Sequence, residues 1–352
     1  MGLRGYITKR IGYSLVLLVL VMSLNYVIFM VMPGDPTTMF INPIKKGNQT
    51  EVQELTTRLR EMWGINDPPI IRYFKYLRNM LTWNFGITFS ERQPVADEMA
   101  WRLPYTLILM GGSTIFAIAI GVTLGAIAAN KRGGRFDAIA VLSSLVLYSL
   151  PTFWMGMLLI LIFYVKLGWL PHAFAYPSEW ALKWPTPFVM SSSSTGPLGV
   201  LMTINPNGLW EYLTGYVQHA FLPTLTLTLF QYGGYLLLTR ATMVEALTED
   251  YIVTARAKGV SETSVVFRHA LKNASLPLIT SVALSFGFLL SGAIITEGVY
   301  SWPGLGRWIF DAIARKDYNI LQAVFYIIAL CVILANFISD LLYGIIDPRI
   351  KY

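Results

Sequence analysis

About six stretches of this chain are long and apolar enough to cross a lipid bilayer, and this pattern restricts the fold more than any other feature. A helix needs about 20 consecutive apolar residues to cross the hydrocarbon layer. Because lipid offers no water to the backbone, each stretch must form a helix that satisfies its own N–H and C=O groups. The predicted spans are residues 11–32, 107–129, 136–165, 219–239, 277–296 and 321–346.

The composition supports this interpretation and excludes several classes of protein. Of the 352 residues, 55% are hydrophobic and only 13% are charged, which is too apolar for a soluble domain. The net charge of +7 is scattered over several loops, which is typical of positive-inside bias rather than of nucleic-acid binding. A single cysteine, Cys331, and three distant histidines indicate no disulfide and no metal site. We therefore expect an all-α polytopic membrane protein without catalytic residues.

The distribution of charge predicts the organisation of the chain. Arg4, Lys9 and Arg10 precede the first apolar run, which is too long for a cleaved signal peptide, so residues 1–32 form an uncleaved first helix. Two further segments follow in order. They are an extracytoplasmic segment, residues 33–101, with short helices that include 70–81, and a core of five spans, residues 102–352. Both termini are expected in the cytoplasm.

The core contains a proline within one span and a long outer loop. Pro151 predicts a kink in the third span. The outer loop, residues 166–218, is predicted to be irregular, with a flexible surface loop at 190–198. Its tryptophans fit either a belt at the membrane interface or a stacking platform for a sugar, and the sequence leaves both open. They are Trp169, Trp180, Trp184 and Trp210.

A polar, basic segment, residues 249–276, separates the fourth and fifth predicted spans. Each charge would cost roughly 3 kcal/mol at the bilayer centre, so the segment must lie outside the lipid, and its Lys and Arg content places it in the cytoplasm. Thr248 is a candidate N-cap for a first short helix, and Gly259 is its predicted stop. Ser261 is the predicted N-cap of a second helix. The pattern indicates a helical hairpin that a soluble partner could move.

The residues of this hairpin carry a family resemblance. The run DYIVTARAKGV, followed by RHALKNASLP, resembles the cytoplasmic EAA loop of ABC importer permeases, in the form typical of the dipeptide/oligopeptide permease family. Val253 and Thr254 replace the Glu and first Ala of the general motif, and Lys272 stands where the general motif has Pro. Residues 84–107 and 297–307 also resemble this family. The resemblance implies a type I ABC importer permease fold with a cytoplasmic coupling helix within residues 246–276.

The resemblance also implies that the hairpin docks into a cleft of a cytoplasmic ATPase. An ordinary solvated loop with positive-inside charge is the alternative. The candidate coupling residues are Asp250, Tyr251, Thr254, Ala255, Arg256, Lys258, Gly259, Val260, Ser261, Glu262, Val265, Arg268 and His269.

Small polar residues in the fifth span are candidates for the translocation pathway. They could line a wetted path or could pack helices together, and the sequence favours neither. These residues are Ser281, Ser285, Ser291 and Thr296. At the predicted outer mouth, Glu297, Trp302 and Arg307 are candidates for a gate or a docking surface, with Arg307 a partner for Glu297.

The sequence contains no phosphate-binding G-x-x-x-x-G-K-[ST] loop, no G-x-S-x-G, no H-E-x-x-H, and no paired carboxylates at membrane depth. We therefore expect a passive translocation pathway that is driven by partner proteins. The resemblance implies a second permease chain, two ABC ATPases that carry ATP and Mg, and an extracytoplasmic binding protein that delivers peptides. Oligosaccharides, nickel complexes, glutathione or another small solute are alternative cargoes. An ion-coupled secondary transporter and a membrane enzyme or scaffold are rivals from other classes.

Overall fold

The computed structural model describes residues 3–31, 57, 67–89, 91–181, 188–192, 200–204, 206–287, 289 and 293–346. Helices dominate this part of the chain. Their bounds are α1 Leu3–Val31, α2 Pro69–Leu81, α3 Val95–Asn130, α4 Arg135–Ser149, α5 Thr152–Leu159, α6 Pro206–Ala246, α7 Asp250–Ala257, α8 Glu262–Ser264, α9 Leu271–Gly287, α10 Ile294–Val299, α11 Leu305–Arg315 and α12 Tyr318–Ile346. Short π-helical segments cover Ile160–Lys166 and Val265–Ala270, and a 3₁₀ turn covers Ser178–Ala181.

The predicted helical membrane fold is confirmed, with a small β-hairpin as the exception. Strands β1, Phe188–Ser192, and β2, Val200–Ile204, pair antiparallel with Phe188 opposite Ile204. The outer loop was predicted to be irregular, and this part of the prediction is wrong. Both strands combine β-branched or aromatic residues on either side of a Ser-, Gly- and Pro-containing run, which is a hairpin signal. The same loop prediction also placed the start of the fourth helix too late, because α6 begins at Pro206.

Within the described residues, four helices are long and apolar enough to cross a membrane. The spans are Ile7–Phe29, Val95–Asn130, Pro206–Ala246 and Tyr318–Ile338, and the pair Arg135–Ser149 with Thr152–Lys166 makes a fifth if it is counted as one span. The remaining predicted span, 277–296, coincides with α9 and the start of α10, and part of it lies outside the described residues. The structure is therefore consistent with about six spans.

The predicted kink at Pro151 is a sharp break. The axes on its two sides differ by 102°. Leu150 has φ −78° and ψ 135°, and Pro151 has φ −58° and ψ 133°, so two consecutive residues are extended. The proline ring disfavours the helical conformation of the residue before it, which explains why Leu150 leaves the helix. Pro151 is the N-cap residue of α5, where its missing N–H has no cost because the first N–H groups of a helix have no partner within the helix.

The chain divides into two compact units. The first comprises Met1–Leu107, Lys272–Ile294 and Gly304–Tyr352. Its core packs α1 and α11 against α12, and its most buried members include Met22, Trp308, Ile309 and Leu321. Asp317 caps α12, since its carboxylate accepts hydrogen bonds from the Ile320 and Phe89 N–H groups. The loop before α3 is thereby fixed to the start of α12.

The second unit comprises Ile108–Leu271 and Ile295–Pro303, and α6 is its central helix. Helix α3 approaches α6 so closely that a Cβ at Gly121 would lie 2.6 Å from the Tyr232 carbonyl oxygen. A Cβ at Gly125 would lie 2.6 Å from the Leu236 oxygen. Gly121 and Gly125 of the predicted second span therefore serve helix packing, which is the role small residues usually have in membranes.

Candidate functional site: the hairpin between α6 and α9

The hairpin starts directly after α6. Helix α7 begins at Asp250, with Glu249 at its N-cap position. Thr248, the predicted N-cap, lies one residue too early. Its hydroxyl donates to the Glu245 carbonyl oxygen at 2.7 Å and so satisfies an acceptor at the end of α6. Asp250 occupies the first turn of α7, where negative charge is favourable.

The predicted stop at Gly259 is confirmed by the backbone geometry. Gly259 has φ +75°, in the left-handed region that glycine adopts without a steric penalty. Its N–H donates to the Arg256 oxygen at 2.9 Å, and the Val260 N–H donates to the Ala255 oxygen at 3.2 Å. These two bonds define a Schellman motif. The turn therefore has one defined backbone conformation, which the glycine at position 259 makes possible.

The second limb of the hairpin leads continuously into the next long helix. Ser261 is the N-cap of α8, as predicted, and its carbonyl oxygen accepts the Val265 N–H at 2.9 Å. The π-helical segment and α9 follow without a break. Ile252 and Ala255 of α7 are buried, as are Val265, Val266 and Ala270 of the π-helical segment, and these two parts of the hairpin pack together. This apolar contact makes the hairpin compact.

An ion pair crosses the turn between the two limbs. The Arg256 Nη2 atom lies 2.7 Å from Glu262 Oε1, and its Nε atom lies 3.2 Å from Oε2. The hydrogen bonds from Arg256 hold the pKa of the Glu262 carboxyl below its ordinary value. Both side chains are exposed, so the pair contributes at most about 1 kcal/mol after screening by water. Its main effect is to orient the Arg256 guanidinium.

The predicted coupling residues fall into three groups by their exposure. Ala255 and Val265 are buried, so they support the hairpin and do not face a partner. Tyr251, Val260 and His269 are half-buried. The other predicted residues are exposed, namely Asp250, Thr254, Arg256, Lys258, Gly259, Ser261, Glu262 and Arg268.

The exposed residues of the hairpin together form its exposed face, and the sequence did not indicate two of them. Val253 and Phe267 are apolar, yet they are 62% and 40% exposed. Phe267 lies among apolar residues at helical spacing, a pattern typical of a face that packs inwards, so the sequence gives no sign that it faces outwards. Apolar side chains surrounded by charge are typical of an interface with a buried centre and a polar rim. The exposed face of the hairpin is therefore suited to a protein partner.

The structure leaves the predicted pathway residues untested. Ser281 and Ser285 are half-buried on α9, and the Ser285 hydroxyl donates to the Ser281 carbonyl oxygen at 2.8 Å. Thr296 is buried in α10. Ser291 lies outside the described residues. A role in the pathway stays a prediction for all four.

At the predicted outer mouth, Glu297 and Trp302 are fully buried. They adjoin each other, since the Trp302 N–H donates to the Glu297 carbonyl oxygen at 2.8 Å. Burial argues against docking of a partner on either side chain, whereas gating stays a prediction. Arg307 belongs to the first unit, where it is half-buried on α11, and its pairing with Glu297 also stays a prediction.

Tyr300, which sequence reasoning overlooked, anchors this segment. Its hydroxyl lies 2.8 Å from Thr226 Oγ1 on α6 and donates to the Gly156 oxygen on α5 at 3.2 Å. Its carbonyl oxygen accepts the Phe174 N–H at 2.9 Å. An apolar segment with one tyrosine carries no signal for such distant partners. The residues around Tyr300 are thus fixed to two helices and a loop.

In the part of the chain that the structure describes, no group of three or more His, Cys, Asp and Glu residues could hold a metal ion. The fold and the hairpin define a class of protein: a helical, multi-span membrane protein with a specified polar hairpin between two of its long helices. Comparison with known families identifies that class further. Residues 121–352 match the model of the binding-protein-dependent transport system inner membrane component, and residues 3–110 match the model of its N-terminal region. The chain belongs to this family.

Three characterised relatives match along almost the whole chain. The di/tripeptide transport system permease protein DppB of Pseudomonas aeruginosa is 35% identical over 99% of both chains. The oligopeptide transport system permease protein AppB of Bacillus subtilis is 33% identical over 99% of both chains. The glutathione transport system permease protein GsiC of Escherichia coli is 35% identical over 99% of both chains. The chain is therefore a multi-pass inner-membrane permease subunit of a binding-protein-dependent import system, and not an enzyme.

Proposed function

We propose that this chain forms, with a second and similar permease chain, the pathway of an ATP-driven importer of di- or oligopeptides. The names of the relatives support peptide cargo, since two are described as di/tripeptide or oligopeptide permeases and one as a glutathione permease. Glutathione is itself a small peptide, so all three cargoes share the chemistry of the peptide bond. An oligosaccharide or another small solute is the alternative cargo.

The hairpin carries the mechanistic part of the proposal. Its exposed face combines Arg256, Lys258 and Arg268 with the apolar Val253 and Phe267. Two ABC ATPase subunits bind ATP and Mg, and one of them receives this face in a cleft. When the ATPases close, the cleft displaces the hairpin, and the displacement passes to the helices that continue from it. A binding protein supplies peptide from the opposite side of the membrane. Both termini lie in the cytoplasm, on the same side as the hairpin.

The test separates docking from the stability of the turn. Arg256→Glu places two carboxylates across the turn and reverses a charge on the exposed face. The double variant Arg256→Glu/Glu262→Arg restores an ion pair within the chain and leaves the exposed charges exchanged. If Arg256 docks onto an ATPase, both variants insert normally but lose peptide uptake and co-purification of the ATPase. Normal uptake by Arg256→Glu would contradict the proposal. Recovery in the double variant alone would show that Arg256 only holds the turn together.

Lys75→Gln provides a matched control for the loss of an ion pair. Lys75 pairs with Asp67 on the surface of the first unit, far along the chain from the hairpin. An exposed pair of this kind contributes about 0–1 kcal/mol, so this variant should insert and transport like the wild type. A similar defect in Lys75→Gln and Arg256→Glu would mean that the assay responds to general destabilisation.

A further inference from the structure

An ion pair between a buried carboxylate, Asp137, and a half-buried guanidinium, Arg240, joins α4 to α6 near the end of α6 that carries the hairpin. Arg240 Nη2 lies 2.7 Å from Asp137 Oδ2, and Arg240 Nε donates to Asp137 Oδ1. The pair is bidentate, which is the strongest and most directional arrangement of these two groups. Asp137 is only 4% exposed. Its Oδ2 atom also accepts the Gly133 N–H at 2.9 Å, so both carboxylate oxygens are engaged.

The three partners belong to three different elements. Gly133 lies in the short turn between α3 and α4, Asp137 lies in the first turn of α4, and Arg240 lies on α6. Arg240 precedes the end of α6 at Ala246 by fewer than two helical turns, and α7 begins at Asp250. The ion pair therefore fixes the segment of α6 to which the hairpin is attached.

Stability alone is a weak reason for such a pair. Removing a carboxylate from water is costly, and well-packed apolar residues of similar volume often stabilise a protein as much as a buried ion pair or more. Helix α6 is in addition already held by close backbone contacts. A Cβ at Gly233 would lie 2.8 Å from the Ser144 oxygen of α4, and Gly121 and Gly125 bring α3 equally close. What a bidentate pair adds to close packing is one defined register of α4 along α6.

We propose that Asp137 and Arg240 are positioning residues for ATP-coupled transport, in that they make α4 move with α6 when the hairpin is displaced. This inference rests on the proposed function. Without the pair, α4 and α6 still pack, but the displacement of α6 is passed incompletely to α4. ATP hydrolysis then continues while less peptide is moved for each ATP consumed. A residue with a purely stabilising role would instead reduce the amount of assembled complex and leave this ratio unchanged.

The experiment measures transported peptide and hydrolysed ATP in the same proteoliposomes, which contain the complete complex and its binding protein. Asp137→Asn and Arg240→Gln each remove the pair, and the double variant removes both charges. Peptide moved per ATP should fall at least fivefold in both single variants, and the double variant should be no worse than either. Arg240→Lys keeps the charge but loses the bidentate geometry, so it should retain an intermediate ratio. Lys75→Gln, which breaks an exposed pair, should match the wild type.

The results separate the inference from the proposed function. An unchanged ratio in Asp137→Asn, beside an active wild type, would overturn the role of the pair. So would losses of transport that follow only the lower yield of complex. If the single variants fail to assemble, Arg240→Lys tests the inference instead. A wild-type ratio of peptide moved per ATP in that variant would overturn the need for bidentate geometry. Absence of ATP-driven peptide transport by the wild-type complex would overturn the proposed function, and the positioning role with it.

Discussion

Gly259 is the residue on which the shape of the hairpin depends most directly. Its φ of +75° favours glycine, while a Cβ at this position would meet no atom within 4 Å. The cost of a side chain here is therefore backbone strain, about 1–2 kcal/mol for an ordinary residue. We expect peptide uptake and ATPase co-purification to decrease in the order Gly, Asn, Ala, Val, because Asn tolerates the left-handed region and β-branched residues do not. Equal activity of Gly259→Val and Gly259→Asn would contradict this order.

Charge at the same residue tests docking rather than backbone geometry. Because the space around Gly259 within the chain is open, Gly259→Asp adds a carboxylate without an internal clash. Asp is also one of the residues that enter the left-handed region more readily. We expect Gly259→Asp to insert at wild-type levels and to lose uptake and ATPase co-purification, whereas Gly259→Asn retains most of both. Membrane yield and pull-down of the ATPase measure the difference, and identical behaviour of the two variants would refute a role for this surface.

Tyr300 allows a prediction of stability. Tyr300→Phe removes the hydroxyl that bonds to Thr226 and Gly156, while Thr226 keeps its bond to the Leu222 oxygen. The lost hydrogen bonds should cost about 1 kcal/mol. This corresponds to a fall of about 1–2 °C in Tm for a chain of this size. Tyr148→Phe is the matched control, because the exposed Tyr148 ring stacks on Phe230 and keeps that contact. Thermal unfolding in detergent checks both variants, and equal Tm values would show that the hydroxyl contributes nothing.

At the scale of elements, the glycines of α3 separate a packing face from an open face. A Cβ at Gly121 would come within 2.6 Å of Tyr232 and Tyr235, whereas one at Gly111 would meet nothing within 4 Å. Gly121→Leu must therefore push α3 away from α6, at a cost of about 1–3 kcal/mol. Gly111→Leu should be close to neutral. Fractions of correctly folded protein after extraction measure the effect, and similar losses in both variants would show that the close approach of α6 at Gly121 is not responsible.

The elements also show which parts of the fold a sequence specifies by itself. Long apolar runs predicted the spanning helices, because lipid leaves the backbone no alternative to a helix. That constraint ends at the membrane surface, so hydrophobicity did not reveal that α6 starts as early as Pro206. A proline inside an apolar run predicted a kink at Pro151, but it did not predict the size of the bend, 102°.

In the candidate site, too, the sequence predicted the local features and did not predict the tertiary contacts. Gly259 and Ser261 were predicted correctly because turn chemistry and capping are local properties of the sequence. The ion pair between Asp137 and Arg240 was not predicted, since its two residues are far apart in the chain. The burial of Ala255 and Val265 likewise follows from tertiary contacts that no local motif encodes. Local chemistry thus indicated where the hairpin lies, and packing determined which of its side chains face a partner.

For the whole molecule, the decisive question is the source of energy. A carrier driven by protons needs carboxylates that exchange protons during its cycle, and such groups are costly at membrane depth unless they have partners. Two of the buried carboxylates have fixed partners in the structure. Asp137 is held by Arg240 and Gly133, and Asp317 accepts two backbone N–H groups at the start of α12. Neither environment is suited to a group that must repeatedly gain and lose a proton.

We therefore expect transport to depend on ATP and not on a proton gradient when these two energy sources are separated. In proteoliposomes that contain the assembled complex and its binding protein, peptide uptake should require ATP and Mg on the side of the ATPases. Uptake should persist when a protonophore collapses the proton gradient, because the proposed mechanism drives the pathway by displacement of the hairpin. Omission of the ATPase subunits should abolish uptake even under a full proton gradient. Uptake that survives this omission and disappears with the protonophore would show that the chain is an ion-coupled carrier. The hairpin would then not be a docking site for an ATPase.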